Sequence, residues 1–524
     1  MPTITREGYA AGQQITKRLD ALGNLQSGFL GVSTWFIRVH IILGGAWAMA
    51  AAQIMTYPYM VMPIINSLPL DETEGALLVL GANMFGAFVG AFIFGYLADT
   101  HGRKFATLVG FAIAHSAGAL CAVTTNVHVL ICLRFISGVG LGGQQPIIAS
   151  LILELAPTKI RGSALVYLDA FWPIGAIVAM VFSREIEPFV GWRAIVGFSA
   201  AALAYLPLLY MHVPESPKWL ATSGKIDEAV RVLRTIEQAS SVFHGEEADD
   251  VIKNLASQDE EANGTKHMIL QAHKPSFCKS LVTRMRILMR FPYLSRTVML
   301  WFVWTAMAMT NSAMCVYLDE EFVARVVDSA DKTLLTYSVL IAQFFGNISA
   351  CFLIDRIGRR YTMICFLVVA SVASALEVYW DGSTLSMLLS SFLRNFAFYG
   401  ATGCLFAYTP ELYPTSVRVI GIGYAWGISR LGLFAGPHVV FWMEEHLELT
   451  TEGVMWIFCG ILVSAAVAIF FVGIETANQD VERTGRRSSG MATERDSTAS
   501  VITYQKHEDQ DDDELAIMQR NSVV

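Results

Sequence analysis

Gly95-Tyr-Leu-Ala-Asp99-Thr-His-Gly102-Arg103-Lys104 and Leu353-Ile-Asp355-Arg-Ile-Gly358-Arg359-Arg360 are one pattern written twice in a chain of 524 residues. Each copy follows an apolar run long enough to cross a bilayer. The Asp-to-Asp offset is 355 − 99 = 256. A second pair keeps almost the same register. Glu154-Leu-Ala-Pro157-Thr-Lys-Ile-Arg161-Gly162 is echoed by Glu411-Leu-Tyr-Pro414-Thr-Ser-Val-Arg418, at an offset of 411 − 154 = 257. Two unrelated motifs in one register imply a parallel repeat: two halves with the same order of segments and a solute site between them near the midplane.

The rest of the chain fits that frame. Hydrophobic residues make up 54% and charged residues 16%, which is too little charge to cover the surface of a soluble protein of this length. A span needs about 20 mostly apolar residues. Twelve are expected, at about 41–65, 76–97, 105–125, 129–153, 163–183, 192–212, 297–318, 333–354, 361–380, 384–409, 419–441 and 453–474. Pro58 and Pro63 predict a kinked first span, tolerated where neighbouring helices satisfy the freed backbone groups. The fold expected is all-α, with twelve membrane helices in two six-helix bundles. The domains are 1–39, a cytosolic lead; 40–212, the first bundle; 213–296, a cytosolic central loop; 297–474, the second bundle; and 475–524, a disordered polar tail.

Charge sets the orientation. Arg103, Lys104, Lys159, Arg161, Lys218, Lys225, Arg356, Arg359, Arg360 and Arg418 all fall in one set of loops. Asp71, Glu72, Glu74, Asp319, Glu320, Glu321, Glu444, Glu445 and Glu448 fall in the other. The basic set marks the cytosolic face, so both termini are expected in the cytosol of a plasma-membrane protein. Arg184 and Arg193 break the rule, balanced locally by Glu185 and Glu187. No cleavable signal peptide is visible, and the first span is expected to act as a signal-anchor. The sequon Asn263-Gly264-Thr265 falls in the central loop. On the cytosolic side it escapes glycosylation.

Function classes narrow quickly. The net charge of −8 comes from loops and tail, with no basic stripe for nucleic acid. Eight cysteines are scattered without a CxxC pair, which argues against a disulfide framework and a zinc site. No nucleophile–base set, metal cluster or Walker-type loop appears, so neither an enzyme nor a cofactor is expected. The expected partners are a small-molecule solute, protons and the lipid bilayer, with the chain working as a monomer.

The repeated DxxGRK/DxxGRR loop, Asp99 to Lys104 and Asp355 to Arg360, resembles the signature of the major facilitator superfamily. The resemblance implies that the Asp caps a helix end and pairs with Arg to lock one conformation. The residues suit that chemistry: Gly permits the tight turn and Arg/Lys offer donors to a carboxylate. The gating set expected is Asp99, Gly102, Arg103, Lys104, Glu154, Arg161, Asp355, Arg359, Glu411 and Arg418. Salt bridges among them would bias a two-state equilibrium. Leu133-Arg134…Gly143 and Val213-Pro-Glu215-Ser-Pro-Lys-Trp-Leu220 resemble the sugar porter and organic-ion branches. Phe171-Trp172-Pro-Ile-Gly175, Trp301-Phe-Val-Trp304 and Ser429-Arg430-Leu-Gly432…Pro437 resemble the cluster of organic-ion, nicotinate and aromatic-acid, and synaptic-vesicle-like carriers. The chain departs from sugar porters in its fifth and seventh spans, and Glu475-Thr476 is only a fragment of their PET motif. After Trp47 the first span carries no acidic residue, which removes the usual proton-coupling carboxylate of many relatives.

A charge at the bilayer centre costs at least roughly 2.5–3.5 kcal/mol, so it should face the protein interior or a cavity. Arg134, Asp169, Arg394 and Arg430 meet this test. Arg430, between Trp426 and Phe434, is expected to bind a carboxylate, as the resemblance implies, or else to pair with a buried acid. Asp169 is expected to carry a proton, or else to pair with an Arg of the facing half such as Arg430. Arg134 and Arg394 are analogous (394 − 134 = 260) and fit gating, cavity or structural pairing. Gln144, Gln145, Asn311, Tyr167, Trp172 and Trp426 complete the expected substrate-binding set, by hydrogen bonds or stacking. The solute expected is an organic anion, moved by alternating access. The alternatives are a sugar, polyol or organic-cation carrier, and a non-transporting receptor on the same scaffold.

Overall fold

The computed structural model describes residues 14–19, 33–68, 72–239, 282, 285–290, 293–314, 329–379, 383–413 and 417–476. The polar tail, the sequon and the acidic runs of the central loop lie outside these, as do residues 315–318 of the seventh expected span.

Backbone groups in hydrocarbon must be satisfied within their own segment, and the apolar runs accordingly form helices. Among the described residues they build twelve membrane segments. The first six are α1 (Thr34–Ser67), α2 (Glu72–His101), α3 (Arg103–Leu120), α4 (Val127–Leu155), α5 (Thr158–Val190) and α6 (Trp192–His212). The second six are α7 (Tyr293–Ser312), α8 (Ser329–Ile357), α9 (Arg359–Val378), α10 (Thr384–Glu411), α11 (Arg418–Leu447) and α12 (Thr451–Val472). Among the described residues, nine of them are long and apolar enough to span on those grounds alone. The exceptions, α3, α7 and α10, carry Arg103 and Lys104, Arg296, and Arg394 among several serines.

Caps set several of the ends. Ser33, Asn126, Ser383 and Thr450 accept backbone N–H groups at the starts of α1, α4, α10 and α12, satisfying donors that the first turn leaves free. α1 begins about two turns before the expected 41, because residues 34–40 continue it. α5 is interrupted near Ala170. Pro173 has no N–H to return to the Asp169 carbonyl. That carbonyl instead accepts from the Asn347 side chain of α8, 3.4 Å away.

Within the first bundle, glycines let α2 and α4 approach closely. A Cβ at Gly142 would collide with the Ala87 carbonyl oxygen, and one at Gly138 with that of Asn83. Gly142→Leu should therefore lower stability by about 1–3 kcal/mol or more, as overpacking does. Thermal unfolding of the purified variant checks this, and an unchanged midpoint would refute the close approach.

The halves meet through α2 against α11 and α5 against α8 and α10. Beside the first bundle, the amphipathic loop helix Ile226–Ala239 buries Ala229, Val230, Leu233 and Ile236. The short helix at 14–19 docks there, with Ile15 and Leu19 buried. Arg18 donates twice to Glu237, at 2.8 and 2.7 Å.

Candidate functional site

Two sets of polar side chains survive burial, one at the signature-loop end and one in the middle of the interface.

At the loop end, Gly102 and Gly358 both adopt φ +103°, a conformation that favours glycine. Each turn directs the following N–H groups at a carboxylate. Glu215 accepts from the backbone of Arg103 (2.8 Å) and Lys104 (3.2 Å). Glu475 does the same for Arg359 (2.9 Å) and Arg360 (3.1 Å). Arg103 pairs with Asp99 (3.4 Å) and Glu154 (3.3 Å), while Arg359 pairs with Asp355 (2.8 Å) and Glu411 (3.2 Å). The Ser216 hydroxyl donates to Glu154, and the Thr476 hydroxyl to Glu411 at 2.5 Å. The repeat thus extends to Glu215-Ser216 and Glu475-Thr476, at an offset of 475 − 215 = 260. Sequence reasoning missed that role. The signal was an identical Glu–hydroxyl pair just after the last helix of each half.

The two halves are not equivalent here. Asp355 also reaches the other bundle, where it accepts from both the backbone N–H and the hydroxyl of Ser163. Gly162 lies against Asp355 and Arg359, and Cys351 donates to the Ser163 carbonyl. Arg161 and Arg418 donate to the carbonyls of Ala156 and Pro410. Arg418 also lies within electrostatic reach of Glu154 across the interface. The signature-loop end is therefore sealed by contacts between the bundles. Lys104 extends outward over the Tyr210 ring, 4.9 Å from its centroid.

In the middle, Arg430 of α11 is 3% exposed. Its Nη2 donates to Gln145 Oε1 of α4 at 3.0 Å, and its guanidinium lies 4.0 Å from the centroid of the Trp426 ring. Trp426 is part of a ring cluster with Trp304 (5.2 Å), Phe406 (4.7 Å) and Trp47 (6.5 Å), contributed by α11, α7, α10 and α1. Trp304 donates to Thr409 at 2.9 Å. Asp169 faces the Trp47 indole and the Asn347 amide. It does not pair with Arg430.

Many buried polar atoms here complete no hydrogen bond. Arg430 Nε, Gln145 Nε2, Trp426 Nε1 and Trp47 Nε1 are donors without acceptors, and Asp169 Oδ2, Asn347 Oδ1 and Gln144 Oε1 are acceptors without donors. Such atoms are costly in a folded interior.

The structure gathers only part of the expected substrate-binding set. Arg430, Gln144, Gln145, Trp426 and Asp169 share the interface. Gln144 donates to the Ala46 carbonyl at 3.3 Å, and Trp172 is buried on α5. Asn311 lies near the end of α7. Tyr167 does not join the cluster. It is 45% exposed and packs against His40 and Phe171. Arg394 bonds Glu377 of α9 at 3.0 Å, inside the second bundle. Arg134 lies over the Tyr57 ring, 3.3 Å from its centroid, inside the first. Asn347, Trp47, Trp304 and Phe406 join the site without having been singled out, because apolar rings in apolar spans carry no polar signature. Among the described residues no group of His, Cys, Asp and Glu has the arrangement to hold a metal ion.

Two six-helix bundles, a doubled charge cluster at one end and buried polar side chains where they meet define a membrane transporter of the major facilitator fold. The chain belongs to the Sugar (and other) transporter family, whose model matches residues 42–486. It is 29% identical over 453 residues to the niacin transporter NiaP of Acinetobacter baylyi, covering 85% of this chain and 95% of that protein. It is 27% identical over 405 residues to the putative niacin/nicotinamide transporter NiaP of Bacillus subtilis, covering 76% and 86%. The synaptic vesicle 2-related protein of Rattus norvegicus is 25% identical, covering 88% and 82%. Among solved structures, the proton:xylose symporter XylE bound to 6-bromo-6-deoxy-D-glucose superposes with a TM-score of 0.70 at 17% identity, covering 87% of this chain and 99% of that one. That likeness establishes the fold alone.

Proposed function

We propose that this transporter is a secondary carrier of a small organic carboxylate, working by alternating access, with both termini and the central loop on the cytosolic side. The observation that carries the reading is Arg430. A permanent cation, buried at mid-span, bonds among the described residues a neutral amide and stacks on a tryptophan, and its Nε is unmet. A charge in that setting calls for an anion. The surrounding rings favour a flat or apolar body on that anion, since aromatic pairs add roughly 0.5–1.5 kcal/mol beyond area burial. The names of the two niacin-carrying relatives point to the same class.

A thermal-shift screen of the purified chain against nicotinate, benzoate, a quaternary ammonium, xylose and phosphate tests the class. A ligand at about 100 times its Kd stabilises the fold by about 2.7 kcal/mol, and the reading expects the aromatic carboxylates to do so. Stabilisation by xylose or the ammonium alone would move the assignment to a sugar or cation carrier.

A further inference from the structure

Around Arg430, on α4 and α11, most of the unmet atoms are donors: Arg430 Nε, Gln145 Nε2 and Trp426 Nε1, with the acceptor Gln144 Oε1 beside them. Those at the joint of α5 and α8 are acceptors: Asp169 Oδ2 and Asn347 Oδ1. Trp47 links the two groups: its ring centroid is 6.5 Å from that of Trp426, and its indole faces Asp169. An anion satisfies the first group and leaves the second empty.

We propose that Asp169 with Asn347 forms a second subsite, separate from Arg430, that takes up one positive charge in each transport cycle. The charge is either a proton from solution or a cationic group on the solute itself. This rests on the carboxylate reading and extends it: the cleft is bipolar, and its full occupant is a carboxylate plus one positive charge.

Three observations carry it. First, Asp169 is 3% exposed and no Lys, Arg or His side chain pairs with it among the described residues. An uncompensated carboxylate at that depth is expensive, and a proton or cation removes the cost. Second, the other ionisable groups on the helices packed around it are already engaged or packed away. On α8, Asp355 pairs with Arg359 and Cys351 bonds the Ser163 carbonyl. On α10, Glu411 pairs with Arg359, Arg394 with Glu377, and Cys404 is buried. On α1, His40 packs between Phe36 and Tyr167. On α4, Glu154 pairs with Arg103 and Arg134 lies over Tyr57. Third, Asp169 sits where the bundles touch. Its own carbonyl, freed by Pro173, accepts from Asn347 of the opposite half. A change of charge there acts directly on the contact that alternating access must break.

The test is equilibrium binding of benzoate and of 4-(aminomethyl)benzoate to the full chain in lipid nanodiscs, at pH 6 and pH 8. Wild type, Asp169→Asn and Asp169→Glu are compared. If a proton fills the subsite, benzoate binds more tightly at pH 6, by up to about tenfold per pH unit for one linked proton. If the solute fills it, the aminomethyl probe outbinds benzoate at pH 8 by about tenfold. Asp169→Asn should erase whichever difference wild type shows, and Asp169→Glu should retain it, which separates the effect from misfolding. A wild type showing neither difference, or an Asp169→Asn variant that keeps it, overturns the subsite. Failure of the carboxylate reading looks different: Arg430→Ala would bind both probes as wild type does.

Discussion

Arg430→Ala should abolish carboxylate uptake in proteoliposomes while leaving the protein folded. Removing one partner of a buried, hydrogen-bonded charge pair costs about 2–4 kcal/mol, which is roughly a 30- to 700-fold loss of affinity. The variant should stay intact because Gln145, the side chain that Arg430 bonds, is neutral. Losing the guanidinium strands an amide, and no carboxylate loses its counter-ion. Arg430→Lys should recover part of the uptake, since an ammonium keeps the charge but not the planar fork that stacks on Trp426. Full transport of every anionic solute by Arg430→Ala would remove the anion site from the account.

Arg359→Ala should have the largest effect on stability. Arg359 is buried between Asp355 and Glu411, and its backbone N–H is held by Glu475. Truncation leaves two acids facing one another without a cation, at a cost of about 3–5 kcal/mol. Asp355 also holds Ser163 of the opposite bundle, so the same change should loosen the seal. Cys351, which bonds the Ser163 carbonyl, reports this. Its alkylation by a maleimide, in a background with the other cysteines replaced, should accelerate in Arg359→Ala. Equal labelling rates and an unchanged unfolding midpoint would contradict the gating role. The milder Ser163→Ala keeps every ion pair and should speed labelling with little loss of stability.

How much of this was legible in the sequence depended on distance along the chain. The two DxxGR loops and the two Glu-x-x-Pro segments are local patterns, and their offsets of 256 and 257 exposed the repeat and the twelve-helix fold. Apolar length alone marks nine helices among the described residues. The others need the repeat to be recognised, because α3, α7 and α10 dilute their hydropathy with arginine and serine. Pairings through space were not legible. Arg394 looked like a cleft residue by analogy with Arg134, yet its partner Glu377 sits near the end of the preceding helix. Asp169 and Arg430 looked like natural partners, but α5 sets Asp169 against Trp47 and Asn347 while α11 sets Arg430 against Gln145 and Trp426. The aromatic box escaped because Trp47, Trp304 and Phe406 lie on three separate helices, and only packing brings them together.

Counterflow is the most direct test of a carrier that alternates around a central carboxylate site. Proteoliposomes loaded with unlabelled nicotinate are diluted into a trace of labelled nicotinate. The account predicts a transient accumulation of label above its equilibrium level, present in wild type and absent in Arg430→Ala. Saturable binding of nicotinate with no counterflow would instead mark a receptor on a transporter scaffold, and the alternating cycle would have to be given up.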